Sequence, residues 1–118
     1  MVIDSETFID VVENIGSGVI MHSPEGRCLF LNKTARLLLN LSDYDDATFD
    51  IYKNLKPCPP LPYPIDPVTE VIKKLKSFQG KFTYDINDIH RLFDVKFFPV
   101  IRSDTLIYVV VNITDLSD

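Results

Sequence analysis

The clearest pattern of apolar and polar positions lies near the end of the chain, in residues 91–115. Over residues 93–99 apolar and polar residues largely alternate, with the period of two expected of a strand that has one face in water. Residues 106–111 are an unbroken apolar run, typical of a strand covered on both faces. The polar residues 102–104 between them predict an antiparallel hairpin. Because Pro99 cannot donate to a sheet, a bulge or a strand end is expected there.

Two further segments are predicted to form strands. Residues 18–31 predict a first hairpin, with a turn at 23–26 where proline takes the second position and glycine the fourth. Residues 81–86 predict a strand that precedes the long hairpin. Together these segments supply five strands.

Helical spacing and capping residues predict the helices. Apolar residues at positions 8, 11, 12 and 15 predict a first helix over residues 4–15. Asn32 is expected to cap a second helix over residues 33–39. Asp66 and Pro67 are a typical start for a third, which is predicted to run over residues 66–77, with Gly80 just past its end.

The segment between the second and third helices has no regular period. Residues 42–52 are expected to form short helical turns, and the proline-rich residues 57–64 an irregular loop. No β-α-β alternation occurs, which argues against a parallel sheet. The sequence therefore predicts a single α+β domain, an antiparallel sheet of five strands with the helices packed on one face.

Composition and charge exclude several classes of function. The net charge of −5 argues against a nucleic-acid-binding surface, and no apolar run approaches the roughly 18 residues that span a bilayer. The two cysteines, Cys28 and Cys58, stand in no metal-binding or haem-attachment pattern, and we expect reduced thiols in a cytoplasmic setting. No phosphate loop, zinc-protease motif or nucleophile elbow is present, so no enzymatic activity and no catalytic or metal site is expected.

Three short motifs follow one another along the chain: they are Gly-Val-Ile-Met-His-Ser-Pro-Glu-Gly-Arg at residues 18–27, Leu-Asn-Lys-Thr-Ala at 31–35 and Val-Asn-Ile-Thr-Asp at 111–115. In this order they resemble the motifs of PAS domains, the sensory-box domains of bacterial signalling proteins. The last resembles the Asp-Ile-Thr motif through which such domains continue into an output module. Asn112 stands here where the family has Asp, a departure that bears on transfer of a signal through the linker.

The resemblance implies a strand order of 2-1-5-4-3, a cap helix at residues 4–15 and a PAS core at 18–115. It also implies a sensor that controls an output domain of the same chain, such as a histidine kinase of a two-component system, a GGDEF-type diguanylate cyclase or a transcription regulator. A homodimer is expected, without direct contact to a membrane. Its interface is predicted on the apolar stripe of the first helix, formed by Phe8, Ile9, Val12 and Ile15.

The family register implies a ligand pocket between the sheet and the helices. It is mostly apolar, with His22, Tyr84 and Tyr108 as polar contacts, as in small-molecule sites. The predicted lining is Ile20, His22, Val71, Ile72, Leu75, Tyr84, Phe93, Val95, Phe97, Leu106, Tyr108 and Val110.

One other interpretation of these residues remains open. The same side chains can fill a core, in which case the domain is a ligand-free module for interaction and dimerisation. The sequence supports neither haem nor flavin as a cofactor, and the cofactor is unknown. Haem-binding relatives carry their histidine on a helix, where this chain has none, and the flavin-binding relatives follow their reactive cysteine with Arg-Phe-Leu-Gln, unlike Cys58.

Overall fold

The computed structural model describes residues 11, 16–41, 55–58, 66–86 and 88–116. Within them the chain forms one six-stranded antiparallel sheet and two helices. The strands are β1 (Gly18–His22), β2 (Cys28–Leu31), β3 (Leu55–Pro57), β4 (Phe78–Ile86), β5 (Ile89–Arg102) and β6 (Thr105–Asp115), and the helices are α1 (Lys33–Leu38) and α2 (Pro67–Lys74).

The strand order is β2-β1-β6-β5-β4-β3. Apart from β3, this is the predicted order of five strands, and the α+β class and antiparallel arrangement are confirmed. The sixth strand comes from the segment that was expected to be irregular. It is three residues long, lies at the edge of the sheet and contains Pro57, in keeping with the confinement of proline to edge strands.

Both helices pack on the same face of the sheet, which we call the inner face. Helix α1 packs on β1, and α2 packs on β5 and β6. The predicted caps are confirmed: the side chain of Asn32 accepts a hydrogen bond from the backbone N–H of Ala35, and that of Asp66 accepts one from Thr69. These side chains satisfy N–H groups that have no partner within their own helices.

The predicted end of the third helix is wrong. Helix α2 ends at Lys74, and Leu75 adopts a left-handed conformation with a φ of 53°. Strand β4 then begins at Phe78, so Gly80 lies inside a strand and does not cap the helix. The lysines of the last turn are favourable near the C-terminus of a helix whether it ends at Lys74 or at residue 77. The sequence therefore contains no clear signal for the end of this helix.

The turns predicted at residues 23–26 and 102–104 are confirmed. In the first, the N–H of Gly26 donates to the carbonyl oxygen of Ser23 at 2.9 Å. In the second, Ser103 and Asp104 both have positive φ, the geometry of a two-residue turn that matches the twist of the strands. The expected irregularity near Pro99 lies one residue further on, where the pairing of β5 with β6 skips Ile107.

Some predictions fall outside the described residues. They are the helical turns at 42–52, most of the proline-rich loop and most of the helix at 4–15, including Phe8, Ile9, Val12 and Ile15.

Candidate functional site

Strand pairing determines which side chains share the inner face, because directly opposed residues of an antiparallel pair point to the same side. Phe97 is opposed to Val111, which is opposed in turn to Ile20. None of these three side chains has any exposed surface. The same alternation adds further buried residues along the neighbouring strands: His22 on β1, Phe93 and Val95 on β5, Phe82 and Tyr84 on β4, and Val109 and Ile113 on β6.

His22 is the polar exception on this apolar face. Its side chain is 3% exposed and lies directly across from Val109 of β6 and Cys28 of β2. Burial lowers the pKa of its imidazole below 6.5, because the charged form loses its hydration. A hydrogen bond with the backbone of Gly26 and the negative charge of Asp66 act in the opposite direction and are weaker.

The surroundings of His22 join three elements. A Cβ on Gly26, in the turn that follows β1, would lie 3.7 Å from Ile72 and 3.9 Å from Val68, so this turn packs against α2. Asp66, at the start of α2, contributes the charge that acts on His22. Strand β1, the first turn and the first half of α2 therefore meet near this ionisable side chain.

This burial predicts a pH-dependent stability. Unfolded, His22 binds a proton near pH 6.5, whereas folded it does so only at lower pH. Between the pKa of the folded state and that of the unfolded state, the unfolded state binds more protons. The stability that neutral His22 contributes is therefore fully present above pH 6.5, and the free energy of unfolding falls as the pH drops, by at most about 1.4 kcal/mol per pH unit for one proton. Urea unfolding at pH 7 and pH 5.5 should show a smaller loss in His22→Gln than in the wild type. Equal losses in the two proteins would contradict the prediction.

Aromatic side chains fill the other half of the inner face. The rings of Phe82 and Phe97 meet edge to face with centroids 5.8 Å apart, and Phe78 lies against both at 6.3 and 6.1 Å. Tyr84 stacks on Phe93 at 5.8 Å. Its hydroxyl donates a hydrogen bond of 2.7 Å to the carbonyl oxygen of Leu39, and burial raises the pKa of this phenol. These contacts make a dense apolar wall with one satisfied hydroxyl.

The structure brings together eight of the twelve predicted pocket residues. Seven are buried, and Ile72 is half-buried against the core. The buried seven are Ile20, His22, Val71, Tyr84, Phe93, Val95 and Phe97.

Two of the remaining residues lie on the opposite side of the sheet from His22. Tyr108 is paired with Val100 and Val110 with Phe98, so both belong to the outer face. The predicted register of β6 was therefore wrong by one residue, and Val109, Val111 and Ile113 take the inner positions. In an unbroken apolar run, apolar and polar residues do not alternate, so the sequence does not indicate which side chains point to the inner face.

The last two predicted residues depart for other reasons. Leu106 lies beyond the irregularity at Ile107, which restores its side chain to the edge of the core, where it is half-buried. Leu75 is 45% exposed because the helix ends before it.

The predicted pocket lining leaves out three buried residues that pack beside it, Phe82, Val68 and Leu39. Phe82 shares a face with Tyr84 by simple alternation, a signal that was present. Val68 precedes Val71 by three residues at the start of α2, as a buried helical stripe requires. Leu39 carried no such signal for its role, since it is the backbone carbonyl that receives the Tyr84 hydroxyl.

Both cysteines are free thiols. Cys58 is exposed at the end of β3, where its N–H donates to Lys81, and Cys28 is half-buried against the core. Among the described residues, no cluster of three or more His, Cys, Asp or Glu side chains is placed to hold a metal ion. Over the same residues, neither helix is long and apolar enough to cross a membrane.

Comparison with solved structures finds the same architecture in other proteins. The PAS domain of nitrogen regulation protein NR(II) from Vibrio parahaemolyticus aligns with 92% of this chain and 96% of its own, at a TM-score of 0.68 and 12% identity. A PAS domain from Colwellia psychrerythraea aligns over 95% and 96% of the two chains, at a TM-score of 0.72 and 10% identity. The Rhodobacter sphaeroides LOV protein aligns with 95% of this chain and 67% of its own, at 0.69 and 13%.

No protein family model matches the sequence, and no curated protein matches it. At these low identities the agreement with solved structures concerns the course of the backbone. The strand order, the placement of both helices and the agreement along nearly the whole chain lead to one conclusion: the chain has the PAS-domain fold.

Proposed function

We propose that the chain is the sensory domain of a signalling protein, and that its input is a small, largely apolar ligand bound between the inner face and the two helices. Domains of this fold occur in a nitrogen regulation protein and in a blue-light-activated histidine kinase. That range of parent proteins supports a sensory role and does not identify the signal. The output is proposed to be a separate module of the same chain.

The observation that carries this proposal is the burial of His22. A buried imidazole on an apolar face loses its hydration, which destabilises the folded state, so its presence there favours a functional role for this side chain. It lies where β1, the first turn and α2 meet, so a ligand there contacts three elements whose relative positions it can change. With Tyr108 on the other face and the Tyr84 hydroxyl bonded to Leu39, His22 is the proposed polar contact for the ligand.

The experiment is native mass spectrometry of the protein purified from its own host, together with an absorption spectrum. The expected result is a bound small molecule in the wild type that is lost in His22→Leu. His90→Leu is the matched control, because His90 is exposed on β5 and pairs with Asp85. If the wild type carries no extra mass, or if His22→Leu retains it, ligand sensing at this site is wrong. The spectrum separately reports haem or flavin.

A second candidate function, dimerisation, is favoured by the outer face of the sheet. Four apolar residues form a continuous row across four strands, since Phe30 is opposed to Met21, Met21 to Val110 and Val110 to Phe98. All four are half-buried. Antiparallel sheets with one wet face usually carry polar residues there. We propose that this row joins two copies of the chain, and that the apolar stripe predicted for the first helix takes part in the same interface.

Sedimentation velocity tests the dimer. The wild type should sediment as a dimer, and Val110→Lys, which places a charge in the centre of the row, should sediment as a monomer. Thr83→Lys adds the same charge on the outer face of β4, away from the row, and should leave the dimer intact. A monomeric wild type would rule out the interface, and a dimeric Val110→Lys would place it elsewhere.

A further inference from the structure

Helix α1 is held at its C-terminal end by a residue of the inner face. The Tyr84 hydroxyl donates to the carbonyl oxygen of Leu39 at 2.7 Å, and both groups are buried. Carbonyls of a last helical turn have no partner within the helix, so this bond is what joins the end of α1 to β4. Tyr84 also stacks on Phe93, which connects the bond to the aromatic wall.

The N-terminal end of α1 is held by Asn32, which is fully buried. Its Oδ1 accepts hydrogen bonds from the N–H of Ala35 and the N–H of Val19, each at 2.9 Å. Its Nδ2 donates to the carbonyl oxygen of Ser17 at 3.0 Å. One side chain therefore caps α1 and fixes the backbone that enters β1.

Helix α1 has little freedom to slide against β1. A Cβ on Gly18 would lie 3.1 Å from the Cα of Ala35 and 3.3 Å from its Cβ, closer than ordinary van der Waals contact. The helix has six residues and is about 9 Å long. Because α1 is this short, is hydrogen-bonded at both ends and packs closely on β1, we expect it to move as a rigid unit.

The same backbone is bound from the outer face by Asn112 of β6. Its Nδ2 donates to the Oγ of Ser17 at 3.0 Å and lies 3.4 Å from the carbonyl oxygen of Gly18. Ser17 thus accepts a hydrogen bond at its carbonyl from Asn32 and another at its hydroxyl from Asn112. Asn112 is three residues before the end of β6, where the chain leaves the sheet.

We propose that these contacts form a relay, in which α1 transmits a displacement of the Tyr84 ring through Asn32 and Ser17 to Asn112. Its two states differ in whether the Tyr84 hydroxyl is bonded to Leu39 or released. The relay carries a change on the inner face to the outer face at the outgoing end of β6. That a ligand causes the displacement rests on the function proposed above, whereas the relay itself can be tested without a ligand.

The test is Tyr84→Phe, which removes only the hydroxyl and keeps the ring. Nuclear magnetic resonance of the ligand-free protein should show shifted side-chain amide signals for both Asn32 and Asn112. The backbone N–H groups of Ala35 and Val19 should exchange with solvent roughly tenfold faster relative to those of β5, the factor expected for one lost hydrogen bond. The comparison with β5 separates a local change from a loss of overall stability.

Tyr108→Phe is the matched control. It removes the same hydroxyl from a tyrosine on the outer face that has no part in these contacts, and it should leave the Asn32 signals unchanged. If Tyr84→Phe alters only the signals next to Leu39 and leaves those of Asn32 and Asn112 at their wild-type positions, the relay is wrong. That result would leave ligand binding at His22 untouched.

A reverse experiment follows because coupling between two sites is reciprocal. Asn112→Ala should shift the backbone signals of Leu39 and Asn40 at the far end of α1. Since Asn112 is only partly buried, this variant is expected to fold. Unchanged signals at Leu39 and Asn40 would equally overturn the relay.

Discussion

Truncation of Phe97 to alanine should lower the free energy of unfolding by about 3–5 kcal/mol. Its ring has no exposed surface and packs against Phe82 and Phe78, with centroids 5.8 and 6.1 Å away. The substitution removes a buried ring from β5 and leaves a cavity. Because β5 is hydrogen-bonded to β4 on one side and to β6 on the other, the backbone cannot easily move to close it. Such a loss is a large share of the ~5–15 kcal/mol typical of a domain.

The matched control is Phe98→Ala, one residue along the same strand. Phe98 faces outward, is half-buried, and has the ammonium group of Lys96 5.5 Å from its ring centroid. Its loss should be at most about half that of Phe97→Ala, because less apolar surface is removed from a buried site. Urea unfolding followed by circular dichroism measures both. A loss below roughly 1 kcal/mol for Phe97→Ala would show that the register of β5 is wrong.

Replacement of Asn32 by alanine should cost about 3–5 kcal/mol, because it leaves three backbone groups without the partner they have now. They are the N–H of Val19, the N–H of Ala35 and the carbonyl of Ser17. Each such group costs roughly 1–3 kcal/mol if it stays buried and unpaired, and partial access to water reduces the sum. The residue is small, so packing contributes little and the effect isolates the hydrogen bonds.

Asn112→Ala is the control for this prediction. It also loses hydrogen bonds to Ser17 and Gly18, but at a partly buried position where water can replace them. Its expected cost is about 1 kcal/mol. The same urea titrations compare the two variants, and an Asn32→Ala protein as stable as Asn112→Ala would show that the buried hydrogen bonds do not hold the junction of β1 and α1. A failure of Asn32→Ala to fold would agree with the expectation.

Much of the fold could be predicted because each local pattern agrees with the tertiary arrangement. The alternation in β5 placed Phe93, Val95 and Phe97 on one face, and they are buried. Asn32 and Asp66 are predictable as caps because each is a short polar side chain directly before a helical stripe, where its oxygen can accept from the first N–H groups of the helix. These signals involve neighbours in the chain, and the sequence contains them in full.

The candidate site was less predictable because its geometry depends on partners distant in the chain. His22 was recognised as an inner-face residue, but the charge of Asp66 and the contact of Gly26 with α2 appear only once α2 is packed on the sheet. The sequence predicts Tyr84 as a polar contact for a ligand, whereas its hydrogen bond to Leu39 depends on the position of the end of α1. Residue type indicates that these side chains make polar contacts, whereas the fold determines the partner in each contact.

By itself, the sequence determined the class of fold, the antiparallel strands, the capped helices and the facing of strands that alternate. Only the tertiary structure decided the facing of β6, the end of α2 at Lys74 and the pairing of Leu55–Pro57 as an edge strand. The physical reason is the same in all three. A uniformly apolar run, a lysine-rich helix end and a proline-rich segment are each compatible with more than one local conformation, and pairing or packing with the rest of the chain selects among them.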